Sequence, residues 1–148
     1  MWLDANESFV AGGRKMIEEV CDDWIGPGTV RRKMEEGYVF GYLLENGSKA
    51  GFLSFGILDG GVIEIDKLYI EPRFRGRGNG KRVLDRLLEH GRSQGCVKAA
   101  LTVNSKNSPA IALYEGRGFE MEKEVTYRRD GWPETRLYVM SLALSPDG

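Results

Sequence analysis

A stretch rich in glycine and arginine, Arg75-Gly76-Arg77-Gly78-Asn79-Gly80-Lys81, has the composition of a site for an anionic ligand. The apolar segment 62–70 before it resembles a strand, and apolar residues recur at helical spacing after it. The first backbone N–H groups of a helix have no intrahelical partner and lie at the positive end of its dipole. Because glycine has no Cβ, an anion can approach such a turn closely. The stretch therefore predicts a turn that binds phosphate oxygens.

Spacing distinguishes three glycine-rich phosphate motifs. The dinucleotide fingerprint needs two residues between its second and third glycines, but only Asn79 separates Gly78 from Gly80. The Walker loop needs a glycine where Arg75 stands and Ser or Thr where Arg82 stands. The pattern that fits is Arg-x-x-Gly-x-Gly, and it resembles the acyl-CoA-binding signature of the GNAT family of N-acetyltransferases. Taken alone, it is also compatible with a surface turn that binds nothing.

The composition predicts one globular domain spanning residues 1–148. Hydrophobic residues make up 41% and charged residues 29% of the 148, which is the balance of a folded protein. A formal net charge of −1 gives no general attraction to nucleic acid or acidic membranes, so neither is expected as a partner. The beginning of the sequence has neither a basic nor an apolar leader pattern, and no run approaches a membrane span. We therefore expect a cytoplasmic protein.

Other residue types that often carry chemistry form no recognisable constellation. Cys21 and Cys96 lack metal-ligand spacing and are expected to be reduced thiols, so no metal is expected. His90 is the only histidine and is expected on the surface of the central helix. Neither a Ser-His-Asp nor a Cys-His arrangement can be built, so a covalent acetyl-enzyme is not expected.

The periodicity predicts the order α-α-β-β-β-α-β-α-β-β, an α/β (mixed α+β) fold with a central, mostly antiparallel mixed sheet and helices on both faces. Asn46-Gly47 between two apolar runs indicates a hairpin, Thr29 is a candidate N-cap, and Pro109 suits the first turn of a short helix. The predicted helices span 5–24, 29–36, a central one after the glycine turn, and 108–117. The predicted strands span 38–44, 50–58, 62–70, 97–103, 120–129 and 135–142.

A second motif extends the resemblance. Asn107-x-x-Ala110-x-x-Leu113-Tyr114, followed by Gly118-Phe119, is similar to the second signature of the GNAT family. A helix and a strand separate the two signatures, as in the family, and residues 38–142 resemble its core from the second strand onward. Family members usually begin with a β-strand, and Met1–Asp4 is too short to provide one. The resemblance implies a GNAT fold that uses acetyl-CoA.

The resemblance also implies how acetyl-CoA is held. The turn Arg75–Lys81 would bind the pyrophosphate, and the pantetheine arm would bond the backbone of Leu68 and Ile70 and the side-chain amide of Asn107. The strand would have to splay from its neighbour at 97–103, through a bulge near residues 67–69 that also aims an amide at the thioester carbonyl. The alternatives are that Leu68 and Ile70 only fill the core and that Asn107 only caps a helix.

Two residues are candidates for proton transfer. The resemblance assigns Tyr114 the role of acid toward the leaving thiolate, and a phenol stays protonated at neutral pH. Glu64 is the candidate base, and Asp66 would share its face of an unbroken strand, close enough to raise one pKa. The alternatives are that Tyr114 only packs as an aromatic residue and that Glu64 is a solvated sheet residue, with water deprotonating the amine.

The combined motifs predict direct transfer from acetyl-CoA to a primary amine in a ternary complex. The acceptor is a small-molecule amine, a polyamine or a peptide N-terminus, since Asp59, Glu64 and Asp66 would suit a cation. A non-catalytic acyl-CoA-binding regulatory module is the alternative, although such a module would not need Tyr114. The apolar segment Trp132–Leu142 is expected to be an edge strand, which favours a homodimer.

Overall fold

A computed structural model describes residues 27–128, 130–131 and 133–145. The helix predicted at 5–24 and the segment Met1–Asp4 lie outside the described residues. The three helices described are α1 (Pro27–Glu35), α2 (Asn79–Ser93) and α3 (Ser108–Gly116), and a short 3-10 helix spans Pro72–Phe74. The strands are β1 (Val39–Glu45), β2 (Ser48–Leu58), β3 (Val62–Ile70), β4 (Lys98–Asn104), β5 (Glu120–Tyr127) and β6 (Thr135–Ala143).

The six strands form one sheet in the order β1-β2-β3-β4-β6-β5. Strands β3 and β4 are parallel, whereas β1–β2, β4–β6 and β5–β6 are antiparallel. This confirms the predicted mixed sheet. The described residues divide into two compact units, the first comprising 27–56 with Lys67–Val83 and the second Ile57–Asp66 with the described residues from Leu84 onward.

The first unit is built on the predicted hairpin of β1 and β2. Its two-residue turn, Asn46-Gly47, has φ of 51° and 80°. Positive φ at both positions matches the turn type whose twist fits a β-hairpin, which explains why Asn-Gly predicted it. Leu43, Ala50 and Phe74 form the buried centre of this unit, and the partly buried residues packed against them are Leu53, Leu68, Ile70 and Val83.

Helix α1 begins earlier than predicted. It starts at Pro27, so Thr29 lies inside the helix and the prediction that Thr29 is its N-cap was wrong. Pro27 lies between the helices predicted at 5–24 and 29–36. Proline fits the first turn of a helix because the N–H that it lacks would be unpaired there. Pro27 can therefore be the first residue of α1.

The second unit centres on the parallel pair of β3 and β4, with α2 packed against it. The buried face of α2 is formed by Leu84, Leu87, Leu88 and Gly91, as its spacing predicted. A Cβ at Gly91 would lie 2.8 Å from Cγ2 of Ile63, so only glycine allows the helix to approach β3 this closely. Ile63 and Leu84 are completely buried in this core.

The prediction that Trp132–Leu142 forms an edge strand was wrong. Strand β6 lies between β4 and β5, paired with both of them, and β5 forms the edge. All eight residues of β5 are exposed, and four of them are charged. A charged strand discourages edge-to-edge pairing, whereas the apolar β6 gains more from an interior position. The argument for a homodimer through β6 therefore has no basis in this fold.

Candidate functional site

The glycine turn has the backbone geometry that an anion site needs. It follows the 3-10 helix, and Gly76 and Gly78 have φ of 75° and 80°, in the left-handed region that favours glycine. Helix α2 starts at Asn79, and the N–H of Arg82 donates to the carbonyl oxygen of Gly78 at 3.1 Å. The N–H groups of the three preceding residues fall in the first turn and have no intrahelical acceptor. These groups can therefore donate to a bound phosphate.

Asn79 fixes the turn to the start of α2. Its Nδ2 donates to the carbonyl oxygen of Phe74 at 3.0 Å, and its Oδ1 accepts from Nη2 of Arg82 at 2.5 Å. Both ends of the amide are thus used inside the turn. We infer that Asn79 shapes the anion site through these bonds, a role that its position in the motif did not reveal.

Two arginines of the turn are held by specific partners. Arg75 donates from Nε to the carbonyl oxygen of Ile70 at 2.8 Å, and Arg77 donates from Nη1 to Oε2 of Glu45 at 2.8 Å. The guanidinium of Arg77 also lies 5.5 Å from the ring centroid of Phe74. Positive charge is therefore held beside the turn in defined positions, where it favours an anionic ligand.

Strand β3 changes its pairing where the resemblance places the pantetheine arm. Its ladder with β4 runs from Val62↔Lys98 to Ile65↔Leu101 and ends there, although β3 continues to Ile70. The side chain of Leu68 is half-buried and packs in the core of the first unit, as does that of Ile70. The side chains of Leu68 and Ile70 therefore fill the core, as the alternative interpretation expected. Binding of the pantetheine arm by their backbone stays a prediction.

Gly51 on β2 allows β3 to take this path. An ideal Cβ on Gly51 would lie 1.9 Å from the carbonyl oxygen of Tyr69 and 3.1 Å from Cα of Ile70. No other residue type fits such an approach without movement of the backbone. We did not single out Gly51 from the sequence, although an isolated glycine within a strand is the usual signal of a close backbone approach.

Asn107 caps α3 in the second unit. Its Oδ1 accepts from the N–H of Ala110 at 3.3 Å, and its own N–H donates to the carbonyl oxygen of Asn104 at 2.9 Å. The capping alternative is therefore observed. The two roles are compatible, because the cap uses the oxygen of the amide while Nδ2 remains a donor for a ligand.

Tyr114 lies at the C-terminal end of α3 with a largely buried ring. It is 6% exposed, and its ring centroid lies 5.7 Å from that of Phe119. Burial raises the pKa of the Tyr114 phenol to about 12. The Tyr114 hydroxyl has no hydrogen-bond partner among the described residues, and its oxygen is not completely buried. The phenol is thus a protonated donor available to a ligand.

The other residues considered for chemistry are two acidic residues of β3, the histidine of α2 and a cysteine. Glu64 is half-buried and lies opposite Ala100 in the parallel ladder, and both Glu64 and Asp66 already take part in polar or electrostatic interactions. His90 is exposed near the end of α2, as predicted, and Cys96 is a buried free thiol. Within the described ranges, His, Cys, Asp and Glu side chains form no cluster that could hold a metal ion.

The fold and the glycine turn agree with the family comparison. The model of the acetyltransferase (GNAT) family matches residues 3–119 of this sequence. The chain belongs to this family, which confirms the resemblance derived from the two motifs.

Relatives and solved structures indicate the same family. The chain is 32% identical over 108 residues to the [ribosomal protein bS18]-alanine N-acetyltransferase of Escherichia coli K12, covering 72% of this chain and 70% of that protein. The crystal structure of the ribosomal-protein-S18-alanine N-acetyltransferase from Escherichia coli superimposes with a TM-score of 0.67 at 25% identity, covering 80% and 76% of the two chains. The Salmonella typhimurium protein yncA, solved with its cofactor acetyl-CoA, gives a TM-score of 0.65 at 26% identity, covering 78% and 69%.

Other matches cover less of their relatives. The chain spans 30% of an uncharacterized N-acetyltransferase of Methanocaldococcus jannaschii and 52% of the Salmonella typhimurium bS18-alanine N-acetyltransferase, at 38% and 35% identity. It is 28% identical to the spermine/spermidine N(1)-acetyltransferase of Bacillus subtilis, covering 57% of this chain and 61% of that one. Among the helices described, none has the length and apolar character needed to cross a membrane.

Proposed function

We propose that the protein is an acetyl-CoA-dependent N-acetyltransferase that acts on a primary amine by direct transfer in a ternary complex. The left-handed glycine turn at the start of α2, in a chain of the GNAT family, is the observation that carries this proposal. The relatives named as N-acetyltransferases support it. We propose further that residues 1–148 act as one domain, since β2, β3 and α2 each contribute residues to both compact units.

The residues present suit acetyl-CoA as co-substrate. The first-turn N–H groups of α2 and the turn glycines would receive the pyrophosphate, with Arg75 and Arg77 supplying positive charge. The part of β3 beyond its ladder with β4 would bond the pantetheine arm through the backbone of Leu68 and Ile70. Because Oδ1 of Asn107 is engaged in its cap, the amide would present Nδ2 to a carbonyl oxygen of that arm.

The reaction requires no covalent enzyme intermediate. The amine nitrogen attacks the thioester carbonyl carbon, the carbon–sulfur bond breaks, and coenzyme A leaves as a thiolate that takes up one proton. The nitrogen loses one proton in the same sequence, so the products are an amide and a thiol. The cysteine in the described residues, Cys96, is buried in the core, which fits a route without an enzyme thiol.

We assign the donor at the leaving sulfur to Tyr114. With a pKa near 12, this phenol stays neutral throughout the working range and can donate a hydrogen bond to the developing thiolate. Ordinary thiols have a pKa near 8.5, so the sulfur holds a proton less tightly than the Tyr114 phenolate does. In this proposal Tyr114 therefore acts as the acid through a hydrogen bond that shares its proton with the developing thiolate, without complete transfer.

We assign the base to Glu64, acting on the ammonium form of the acceptor directly or through water. The acceptor would be a small-molecule amine, a polyamine or a peptide N-terminus, and the proposal draws on relatives named for ribosomal protein bS18 alanine and for spermine. No metal is required by this chemistry. We place the activity in the cytoplasm.

Release of free thiol from acetyl-CoA tests the activity. We would screen diamines, polyamines and short peptides with an unblocked amino terminus, and use the same acceptors with a blocked amine as matched controls. Amine-dependent thiol release above the rate of hydrolysis is expected for at least one class. Tight acetyl-CoA binding with no amine-dependent release from any class would favour the non-catalytic module instead.

A further inference from the structure

An ion pair connects the end of α3 with α2 inside the second unit. Arg117, the C-cap residue of α3, places its Nε 3.2 Å from Oδ1 of Asp85 on α2. The arginine side chain is only 24% exposed, whereas that of Asp85 is 49% exposed. The arginine is therefore the more buried partner. The ion pair links α3 to α2, although the two residues lie far apart in the sequence.

The backbone of Arg117 is attached to Tyr114. The Tyr114 carbonyl oxygen accepts from the N–H of Arg117 at 3.0 Å and from the N–H of Phe119 at 3.0 Å. Phe119 also packs its ring against that of Tyr114. The last turn of α3 is thus closed on Tyr114 by its backbone, while the side chain of Arg117 anchors the same turn to a different helix.

A gain in folding stability does not account for this ion pair. Ion pairs with an exposed partner contribute little to folding. Nη2 of Arg117 is enclosed and has no acceptor within the described part of the chain, and an enclosed donor without an acceptor is unfavourable. The effect that we consider for this ion pair is therefore that it fixes the position of the last turn of α3.

We propose that Arg117 and Asp85 are positioning residues for Tyr114. Among the described residues nothing bonds the Tyr114 hydroxyl, so its direction depends on ring packing and on the placement of the last turn of α3. The ion pair fixes that turn relative to α2 and so holds the hydroxyl where a leaving sulfur can accept from it. A donor must be held within narrow limits to act in a transition state. This inference rests on the acid role proposed for Tyr114.

Exchange of either partner should lower turnover and leave cofactor binding intact. We expect Arg117→Gln and Asp85→Asn each to lower kcat by about 3- to 10-fold, as a small displacement of a catalytic group does. The Kd for acetyl-CoA should stay within about twofold, because neither residue belongs to the proposed cofactor contacts. Arg117→Lys, which keeps the charge, should retain most of the parental kcat.

Arg128→Gln provides the matched control. It breaks a different arginine–carboxylate ion pair, between Nε of Arg128 and Oε2 of Glu134 at 3.0 Å, in the hairpin of β5 and β6. Its kcat should equal that of the parent. A drop in kcat for Arg128→Gln as large as that for Arg117→Gln would overturn the proposal, because any lost surface pair would then have the same effect.

A double-mutant cycle with Tyr114→Phe decides whether the pair acts through Tyr114. In the Tyr114→Phe background, Arg117→Gln should cause no further loss of kcat, because the hydroxyl that it positions is gone. Losses that multiply would overturn the proposal, and Asp85→Asn repeats the cycle should Arg117→Gln fail to fold. A parental kcat in Tyr114→Phe would refute the acid role itself. A slow Tyr114→Phe together with a parental Arg117→Gln would refute only the positioning role.

Discussion

Gly51→Ala should destabilise the protein far more than an alanine at another strand glycine does. The new Cβ would start 1.9 Å from the carbonyl oxygen of Tyr69 and 2.9 Å from its carbonyl carbon, where real contacts stay above 3.0 Å. To relieve this contact, the new Cβ and the carbonyl oxygen of Tyr69 must move apart by about 1.1 Å (3.0 minus 1.9). The obstructing atoms belong to the backbone. Overpacking of side chains costs about 1–3 kcal/mol, and we expect about 3 kcal/mol or more because a backbone cannot rotate away.

Gly41→Ala on the neighbouring strand β1 is the matched control. A Cβ at Gly41 meets nothing within 4 Å, so alanine there should be neutral or stabilising by up to about 1 kcal/mol. Urea unfolding measures both variants: with an m value of about 2 kcal/mol/M, the midpoint of Gly51→Ala should fall by about 1.5 M. The folded fraction should also bind acetyl-CoA more weakly, because the displaced backbone includes Ile70. Equal midpoints for the two variants would refute the close approach of β2 and β3.

Three further predictions concern the proposed chemistry. Tyr114→Phe should lower kcat by about 10- to 10³-fold with little change in acetyl-CoA affinity, and a parental turnover with the best amine would exclude Tyr114 as the acid. Since the pKa of Tyr114 is raised from 10.0 to about 12, its contribution to stability is complete below pH 10 and is lost as the pH rises through 12. Relative to Tyr114→Phe, the parent should lose about 1.4 kcal/mol of unfolding free energy by about pH 11, and parallel pH profiles of urea unfolding would contradict the shift. Glu64→Gln should slow the reaction most at acidic to neutral pH and least at high pH, where the free amine is abundant, and an unchanged pH–rate profile would leave Glu64 as a sheet carboxylate.

Local signals in the sequence predicted most of the fold. Asn46-Gly47 fixes a hairpin through its own positive φ values, and Pro109 and Asn107 begin α3 through proline compatibility and a side-chain cap. Such signals act within a few residues, so they can be recognised without knowledge of the rest of the chain. The glycine turn belongs to the same class, because Gly76 and Gly78 need the left-handed backbone for reasons local to the turn.

Features that depend on distant residues could not be predicted in this way. The interior position of β6 depends on which strands it pairs with, and an apolar strand near the end of the sequence is compatible with either an edge or the interior. The ion pairs Arg77–Glu45 and Arg117–Asp85 join residues 32 positions apart in sequence in each case, and charges at such separation give no pattern in one sequence. The close approach at Gly51 left only an isolated glycine as its signal.

Calorimetric titration of acetyl-CoA into Gly78→Asp tests the central claim most directly. A Cβ at Gly78 would meet only the flexible end of Arg82, at 3.2 Å, so the exchange costs mainly the strain of a left-handed residue, about 1–2 kcal/mol, while the new carboxylate blocks the pyrophosphate. Gly95→Asp is the matched control, because Gly95 follows the other end of α2, has φ of 81° against 80° for Gly78, and a Cβ there meets nothing within 4 Å. We predict that the parent and Gly95→Asp bind acetyl-CoA alike and that Gly78→Asp binds at least about 100-fold more weakly, a loss of about 2.7 kcal/mol. A folded Gly78→Asp protein with the parental Kd would contradict the assignment of this turn to acetyl-CoA.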